Sequence, residues 1–267
     1  MNVSVVIPCY NAESTIQATI TSILPQLTLN DEIICVNDAS TDSTGIIIQE
    51  NNVIKIFSHQ NEGVAKSIKK GYDHAKNNII CIIDADSIAP QNWIKTIKLT
   101  HEIPNTIIAC GTYRSINDKT RNTYLDFISK HTKKPNGSGT NMSINKTFAK
   151  EIGLMKDLPK YSWDKLVQER AQASKYNKVF YDCPVLTHTP TSLISIAKQS
   201  FRYGRGRTSR GNLKLTFLIK RLTELIIRPF ITLFFIHKPL LFKALWIEYY
   251  RTIIHTGGLA YGIITRL

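Results

Sequence analysis

Residues 79–86 read Ile-Ile-Cys-Ile-Ile-Asp-Ala-Asp, an apolar run that stops at two carboxylates. Such a short, β-branched stretch is what a strand buried on both faces requires. Packing gives no reason for it to end in Asp84-Ala85-Asp86. The same pattern recurs on either side. Val3–Ile7 ends in Pro8-Cys-Tyr10-Asn11, and Glu32–Val36 ends in Asn37-Asp38. Helical stretches follow each strand, the first from Ser14 to about Leu24 and a later one over Gly63–Ala75. Val53–Phe57 and Ile107–Cys110 read as further strands. Strands alternating with helices at this spacing predict an α/β fold with an open, mostly parallel sheet. Ligands of such sheets bind beyond the carboxyl ends of the strands, where the polar residues cluster. Further on, a hinge-like stretch at 131–140 precedes a strand at about Asn141–Ile144, a helix around Asp164–Lys175 and a strand at Val179–Tyr181. From Leu193 the sequence is mostly helical.

The 267 residues are 43% hydrophobic and 20% charged, enough for a sizeable core, with only 13 Gly and 10 Pro. Disorder, a collagen-like repeat and a small disulfide-held scaffold are thereby excluded. The five cysteines, Cys9, Cys35, Cys81, Cys110 and Cys183, form no CxxC pair and read as small core hydrophobes, which points to a reducing compartment. The N-terminus has neither the basic nor the long apolar segment of a secretory leader.

A net charge of +14 suggests a polyanionic partner, and its distribution decides which kind. Residues 189–267 hold 13 basic and 2 acidic groups, a net of +11, leaving +3 for residues 1–188. A nearly neutral body with carboxylates at its strand ends would repel a phosphate backbone, so nucleic acid is not the expected partner.

Paired carboxylates at a sheet edge suit a hard divalent ion, Mg²⁺ or Mn²⁺, which can clamp a diphosphate. Asp38 can accept a base N–H of a nucleotide or cap the next helix. Tyr10 can stack on a base or pack as an ordinary aromatic.

Val3-Ser-Val-Val-Ile-Pro-Cys-Tyr-Asn-Ala-Glu13, Val36-Asn-Asp-Ala-Ser-Thr-Asp42, Asn61-Glu-Gly63 and Ile82-Ile-Asp-Ala-Asp86 occur in this order and spacing. Together they resemble the family 2 glycosyltransferases of the GT-A fold. The resemblance continues through Gly139-Thr-Asn-Met-Ser-Ile, Ile152-Gly153, Asp164 with Val167 and Arg170, and His188. It implies a GT-A domain over residues 1–205, with a nucleotide-binding half to about 110 and an acceptor half beyond. A basic, helical, amphipathic region would occupy 206–267.

By position, Pro8, Tyr10 and Asn11 would line the nucleotide pocket, with Glu13 and Ala85 beside them and Asp38 on the base. Asp84 would contact the ribose or the metal, Asp86 would ligate the metal, and His188 would approach it or the diphosphate. Asp164 matches the general base of an inverting transfer. Asp157 has no matching pattern around it. Two departures stand out. Trp163 replaces the glutamate usual before that aspartate, and Ser67-Ile-Lys69 replaces an Ala-Arg-Asn-like triplet, so that Lys66 or Lys69 would supply positive charge. Gln199-Ser-Phe-Arg202-Tyr203 resembles an element of processive relatives, in which Arg202 would bind a diphosphate or phosphorylated acceptor.

Between 214 and 228, apolar and basic residues fall on opposite helical faces, as in a helix lying in a membrane surface. Trp246, Tyr249 and Tyr250 suit the headgroup level, and packing of this region on the protein is the other reading. The expected protein is a metal-dependent inverting glycosyltransferase peripheral to the cytoplasmic membrane face. It would use a nucleotide-diphosphate sugar, UDP first among candidates, with a saccharide or lipid-linked acceptor. Transfer to a polyprenyl phosphate and a catalytically inactive sugar-nucleotide sensor are the alternatives.

Overall fold

A computed structural model describes residues 1–131, 137–208, 226–227, 229 and 238–264. The expected amphipathic helix at 214–228 lies almost wholly outside the described residues, as does the 132–136 part of the hinge-like stretch. The chain forms two compact units. One comprises Met1–Arg114 with Pro135–His188, the other Ser115–Lys134 with Thr189–Leu267.

The first unit is built on β1 (Val3–Cys9), β2 (Glu32–Asn37), β3 (Ile54–Phe57), β4 (Ile79–Ile82), β6 (Thr106–Cys110), β8 (Met142–Asn145) and β9 (Asn177–Phe180). These make one seven-stranded sheet in the order β3-β2-β1-β4-β8-β6-β9. The first four strands run parallel, with Val6 beside Ile34 on one side and Ile82 on the other. Their connections are α1 (Ile16–Ile23), α2 (Thr44–Glu50) and α3 (Val64–His74), as βα crossovers demand. The chain moves outward from β1 to β3 and then returns to place β4 on β1's other side. That reversal leaves a crevice at the carboxyl ends of β1 and β4.

β8 runs antiparallel to both β4 and β6, which the apolar pattern alone did not foretell. Its direction matters for function. Because Met142 pairs with Ile82, the residues just before β8 lie beside the residues just after β4. Thr140 and Asp84 thereby meet.

Both faces of the sheet are covered, which accounts for the uninterrupted apolar runs. Val5, Ile7, Cys35, Cys81 and Ile83 face α1 and α4 (Trp93–His101), meeting Ile16, Ile20, Trp93 and Ile97. Val6, Ile34, Ile80 and Ile82 face α3, α6 (Lys146–Glu151) and α7 (Trp163–Gln172), meeting Ala65, Ile68, Tyr72 and Val167. Helix α3 shows the sequence logic plainly. Ala65, Ile68 and Tyr72 sit at helical spacing and are buried, while the lysines between them point outward. At Gly71 the helix approaches β1 so closely that a methyl group would lie 2.4 Å from Val6 Cγ1. All five cysteines are free and buried, as small core residues.

Two short strands, β5 (Ser87–Ile88) and β10 (Val185–Thr187), pair antiparallel and join β7 (Tyr113–Ser115) in a small second sheet. This ribbon carries the chain after Asp86 back against the segment ending at His188.

The described residues of the second unit form three helices, α5 (Lys119–His131), α8 (Leu193–Thr208) and α9 (Pro239–Ile264). The expected boundary at residue 205 falls within α8. Inside this unit Glu248 accepts from Arg121 Nη1 at 2.5 Å and lies 3.1 Å from Arg251 Nε. Gly204 permits α8 to touch α9, since a methyl there would sit 2.0 Å from the His255 carbonyl oxygen. Among the described residues no helix is long and apolar enough to cross a membrane.

Candidate active site

Three strand-end loops of the first unit converge at the carboxyl edge. After β1 the chain turns through Asn11, whose φ is 48°, a left-handed conformation that Asn tolerates. The Asn11 N–H donates to Ser40 Oγ at 3.0 Å, and its side-chain oxygen accepts the Thr41 N–H at 2.9 Å. Glu13 accepts the Ser43 N–H at 2.9 Å, and its own N–H donates to Asp42 at 3.1 Å. Asn11 and Glu13 were expected at the nucleotide pocket. The structure gives both a framework role, tying the loop after β1 to the loop after β2. Pro8 is half-buried in β1, and Tyr10 stands 51% exposed at the rim, with a face free to stack.

Asp38 ends β2 and is only 2% exposed. Its two carboxylate oxygens accept the backbone N–H groups of Glu62 (3.0 Å) and Gly63 (2.7 Å). It therefore fastens the turn before α3 and does not cap α2. The side chain that meets the start of α2 is Asp42, which accepts the Thr44 N–H at 3.0 Å.

The third loop carries Asp84, Ala85 and Asp86. The Asp84 N–H donates to Thr140 Oγ1 at 3.2 Å, and the Ala85 carbonyl accepts from Thr19 Oγ1 at 2.9 Å. Asp86 Oδ1 accepts from Thr187 Oγ1 at 3.2 Å, while its carbonyl accepts the His188 N–H at 3.2 Å. The Ser87 and Thr140 hydroxyls, 3.0 Å apart, close the floor. Burial pushes the Asp84 carboxyl up to about 7; the Asp86 and Asp164 carboxylates add to the rise, against an opposing Thr140 hydroxyl. Burial also raises Asp86, opposed by the Thr187 hydroxyl and by the nearby His188 imidazole.

Asp164 opens α7, behind a left-handed Ser162 with φ 56°. Gly139 lies against it: a methyl there would sit 2.8 Å from Asp164 Cβ. Trp163, the departure noted in the sequence, is buried in the core with Val167 and Ala171. Its indole fills space beneath α7, and Asp164 is left half-buried beside the carboxylate pair.

The structure thus gathers Asp84, Asp86 and Asp164, with His188 nearby. Lys66 pairs with Glu62 at 3.3 Å, and Arg202 is an exposed residue of α8 in the second unit. Sequence reasoning missed Thr140 and Thr187 as supports of the carboxylates. The reversed direction of β8 and the β5–β10 ribbon reveal them only in three dimensions.

Among the described residues no group of three or more His, Cys, Asp and Glu side chains could hold a metal by itself. Asp84, Asp86 and an exposed His188 do not make a closed protein cage. Two half-buried carboxylates with suppressed ionisation nevertheless lack positive charge. That donor set fits an ion such as Mg²⁺, which keeps few protein ligands and takes the rest from phosphate and water.

Asp84 carries a testable consequence. A carboxyl whose folded value is raised stabilises the fold below its unfolded value near 3.8, and loses that contribution as pH rises through about 7. Asp84→Asn should therefore stabilise the metal-free protein at pH 8 by about 1–3 kcal/mol and do little at pH 4. Thermal melts at the two pH values measure it, and equal effects at both would contradict the assignment.

The family model for glycosyl transferase family 2 matches residues 4–156. Glycosyltransferase GlyG of Streptococcus pneumoniae serotype 4 is 32% identical over 128 residues, covering 46% of this chain and 42% of that protein. The chain spans less than half the length of the curated relatives it matches. Among solved structures, mannosyltransferase PcManGT from Pyrobaculum calidifontis, with GDP-Man and Mn²⁺, superposes with a TM-score of 0.62 at 16% identity. That match covers 98% of this chain and 73% of PcManGT. Glucosyl-3-phosphoglycerate synthase from Mycobacterium tuberculosis, with Mn²⁺, UDP and glucosyl-3-phosphoglycerate, gives 0.58 at 18% identity, covering 78% of this chain and 79% of that one. The shared architecture is GT-A.

Proposed function

The chain belongs to glycosyl transferase family 2, and from that premise we propose that it moves a sugar from a nucleotide-diphosphate sugar to a saccharide or lipid-linked acceptor, with inversion. UDP is the first candidate nucleotide. The observation that carries this reading is the gathering of Asp84, Asp86 and Asp164 at one edge of the sheet, with Asp84 pushed up to about 7. Three carboxylates held together without a cation are costly, and a metal–diphosphate complex is a ligand that offsets the cost.

Each residue then has a task. Tyr10 offers its exposed ring to the base, and Asp38 holds the turn that borders it. Asp84 and Asp86 would hold the divalent ion, with Thr140 and Thr187 fixing their orientation. The ion, when bound, supplies charge stabilisation to the departing diphosphate. Asp164 takes the proton of the acceptor hydroxyl as that oxygen bonds to the anomeric carbon and the carbon–oxygen bond to the diphosphate breaks. The nucleoside diphosphate leaves with the electron pair.

The test is a panel of sugar nucleotides, screened with Mn²⁺ for nucleoside-diphosphate release. Metal-dependent release from at least one UDP- or GDP-sugar is expected. Failure of every donor to bind or turn over would remove this reading.

Attachment to an anionic membrane surface, at the cytoplasmic face, completes the proposal. The +11 of residues 189–267 and the exposed Leu240, Trp246 and Ile253 of α9 support it. Vesicles containing phosphatidylglycerol should sediment the protein at low salt, and neutral vesicles should not.

A further inference from the structure

The charged side chains proposed to act on the donor, Asp84, Asp86 and Asp164, are acidic. A nucleoside diphosphate is itself an anion, so it gains from a cation contributed by the chain. The lysines of α3, the first candidates from the sequence, are engaged elsewhere. Lys66 lies 3.3 Å from Glu62, Lys69 lies 2.5 Å from Asp73, and Lys70 pairs with Glu62 and donates to Ser58 Oγ at 2.8 Å. Ile68, in the middle of the triplet, is fully buried in the core.

Lys160, in the loop between α6 and α7, is differently placed. It is exposed, and among the described residues no acidic side chain pairs with it. Its stem lies along Gly63: a methyl group there would sit 3.2 Å from Lys160 Cγ and Cε and 3.6 Å from Cδ. Gly63 has φ +92°, and its N–H is the one that donates to Asp38 at 2.7 Å. Lys160 thus crosses the turn that Asp38 fastens, and its own loop leads directly into Asp164. A stem packed on bare backbone with an unpaired ammonium is how a lysine presents charge to a ligand.

We infer that Lys160 is the cation this chain offers to the nucleotide of the donor, a specificity-determining contact that arrives from the α6–α7 loop and not from α3. The assignment rests on the transferase reading above. Glycine suits position 63 because its φ of +92° is one that other residues rarely adopt, and its bare backbone leaves room for the lysine stem.

Titration calorimetry with UDP and with GDP, in Mn²⁺, tests it on the full chain. Lys160→Met should weaken binding of the preferred nucleotide about tenfold, the scale of one charge-assisted hydrogen bond. Lys160→Arg should retain most of the affinity, and the melting temperature of either variant should match the wild type. Affinity should also fall less steeply with NaCl in Lys160→Met than in the wild type. Lys55→Met, a charge-matched change on the exposed edge of β3, serves as the control. Unaltered binding in Lys160→Met, or the loss appearing in Lys66→Met instead, would overturn the assignment and leave the transferase reading standing. A wild-type protein that binds neither nucleotide would overturn both.

Discussion

Replacing Asp164 with Asn should lower donor turnover by about 10²–10⁴-fold while leaving nucleotide affinity within about twofold. The split follows from where the residue sits. Asp164 belongs to α7, close enough to Asp84 to raise its proton affinity, yet no hydrogen bond ties it to the turn that Asp38 holds. Asn keeps the size and the helix start but cannot take a proton. Steady-state turnover with the donor found in the panel, beside calorimetry with the matching nucleoside diphosphate, separates the two effects. Full turnover in Asp164→Asn would move the base elsewhere. Equal loss of binding and turnover would make Asp164 part of the nucleotide pocket.

The largest expected effect on stability is at Asn141. It is fully buried. Its Nδ2 donates to the Thr112 and Cys183 carbonyls at 2.8 and 2.9 Å, and its Oδ1 accepts from Trp93 Nε1 at 2.7 Å and Tyr181 OH at 2.5 Å. One amide thus meets four groups from three segments beneath the carboxylate pair. Asn141→Ala takes the partner from the Trp93 indole, the Tyr181 hydroxyl and the Cys183 carbonyl, each loss costing about 1–3 kcal/mol in isolation, while the Thr112 carbonyl keeps the Val185 N–H at 3.2 Å. Because they share one partner the costs do not simply add, and about 3–5 kcal/mol is expected. That is a large part of the stability of an ordinary domain. Urea unfolding measures it, and a loss below about 1 kcal/mol would show that these groups find other partners. Thr140, next in the chain, orients Asp84, so the variant should also weaken metal-dependent nucleotide binding.

Much of this architecture is legible in the sequence, and the reason is physical. A strand buried on both faces must be an unbroken apolar run, so Val3–Ile7, Glu32–Val36 and Ile79–Ile83 announce themselves. The charges that end them have no place in a core and so mark the ligand edge. Asp84 and Asp86 stand out as candidates in this way, and the family pattern adds Asp164. What escaped depends on distant pairing. The antiparallel pairing of β8 with β4 and β6 joins residues far apart in the chain, which no local periodicity encodes. The bonds of Asn11 and Glu13 to Ser40, Thr41, Asp42 and Ser43 join two loops some 30 residues apart, and no local pattern shows them. Lys66 sits one turn from Glu62, a pairing that helical spacing could have revealed. Lys160 gave no signal at all, because its meeting with Gly63 joins residues far apart in the chain.

The central claim is that the carboxylate edge binds a nucleoside diphosphate through a divalent ion. Calorimetry of UDP and GDP with and without Mn²⁺, on the wild type and on Asp86→Ala, measures it most directly. The wild type should bind one of the two only when Mn²⁺ is present, and Asp86→Ala should bind neither. Binding that is indifferent to Mn²⁺, or that persists unchanged in Asp86→Ala, would contradict it.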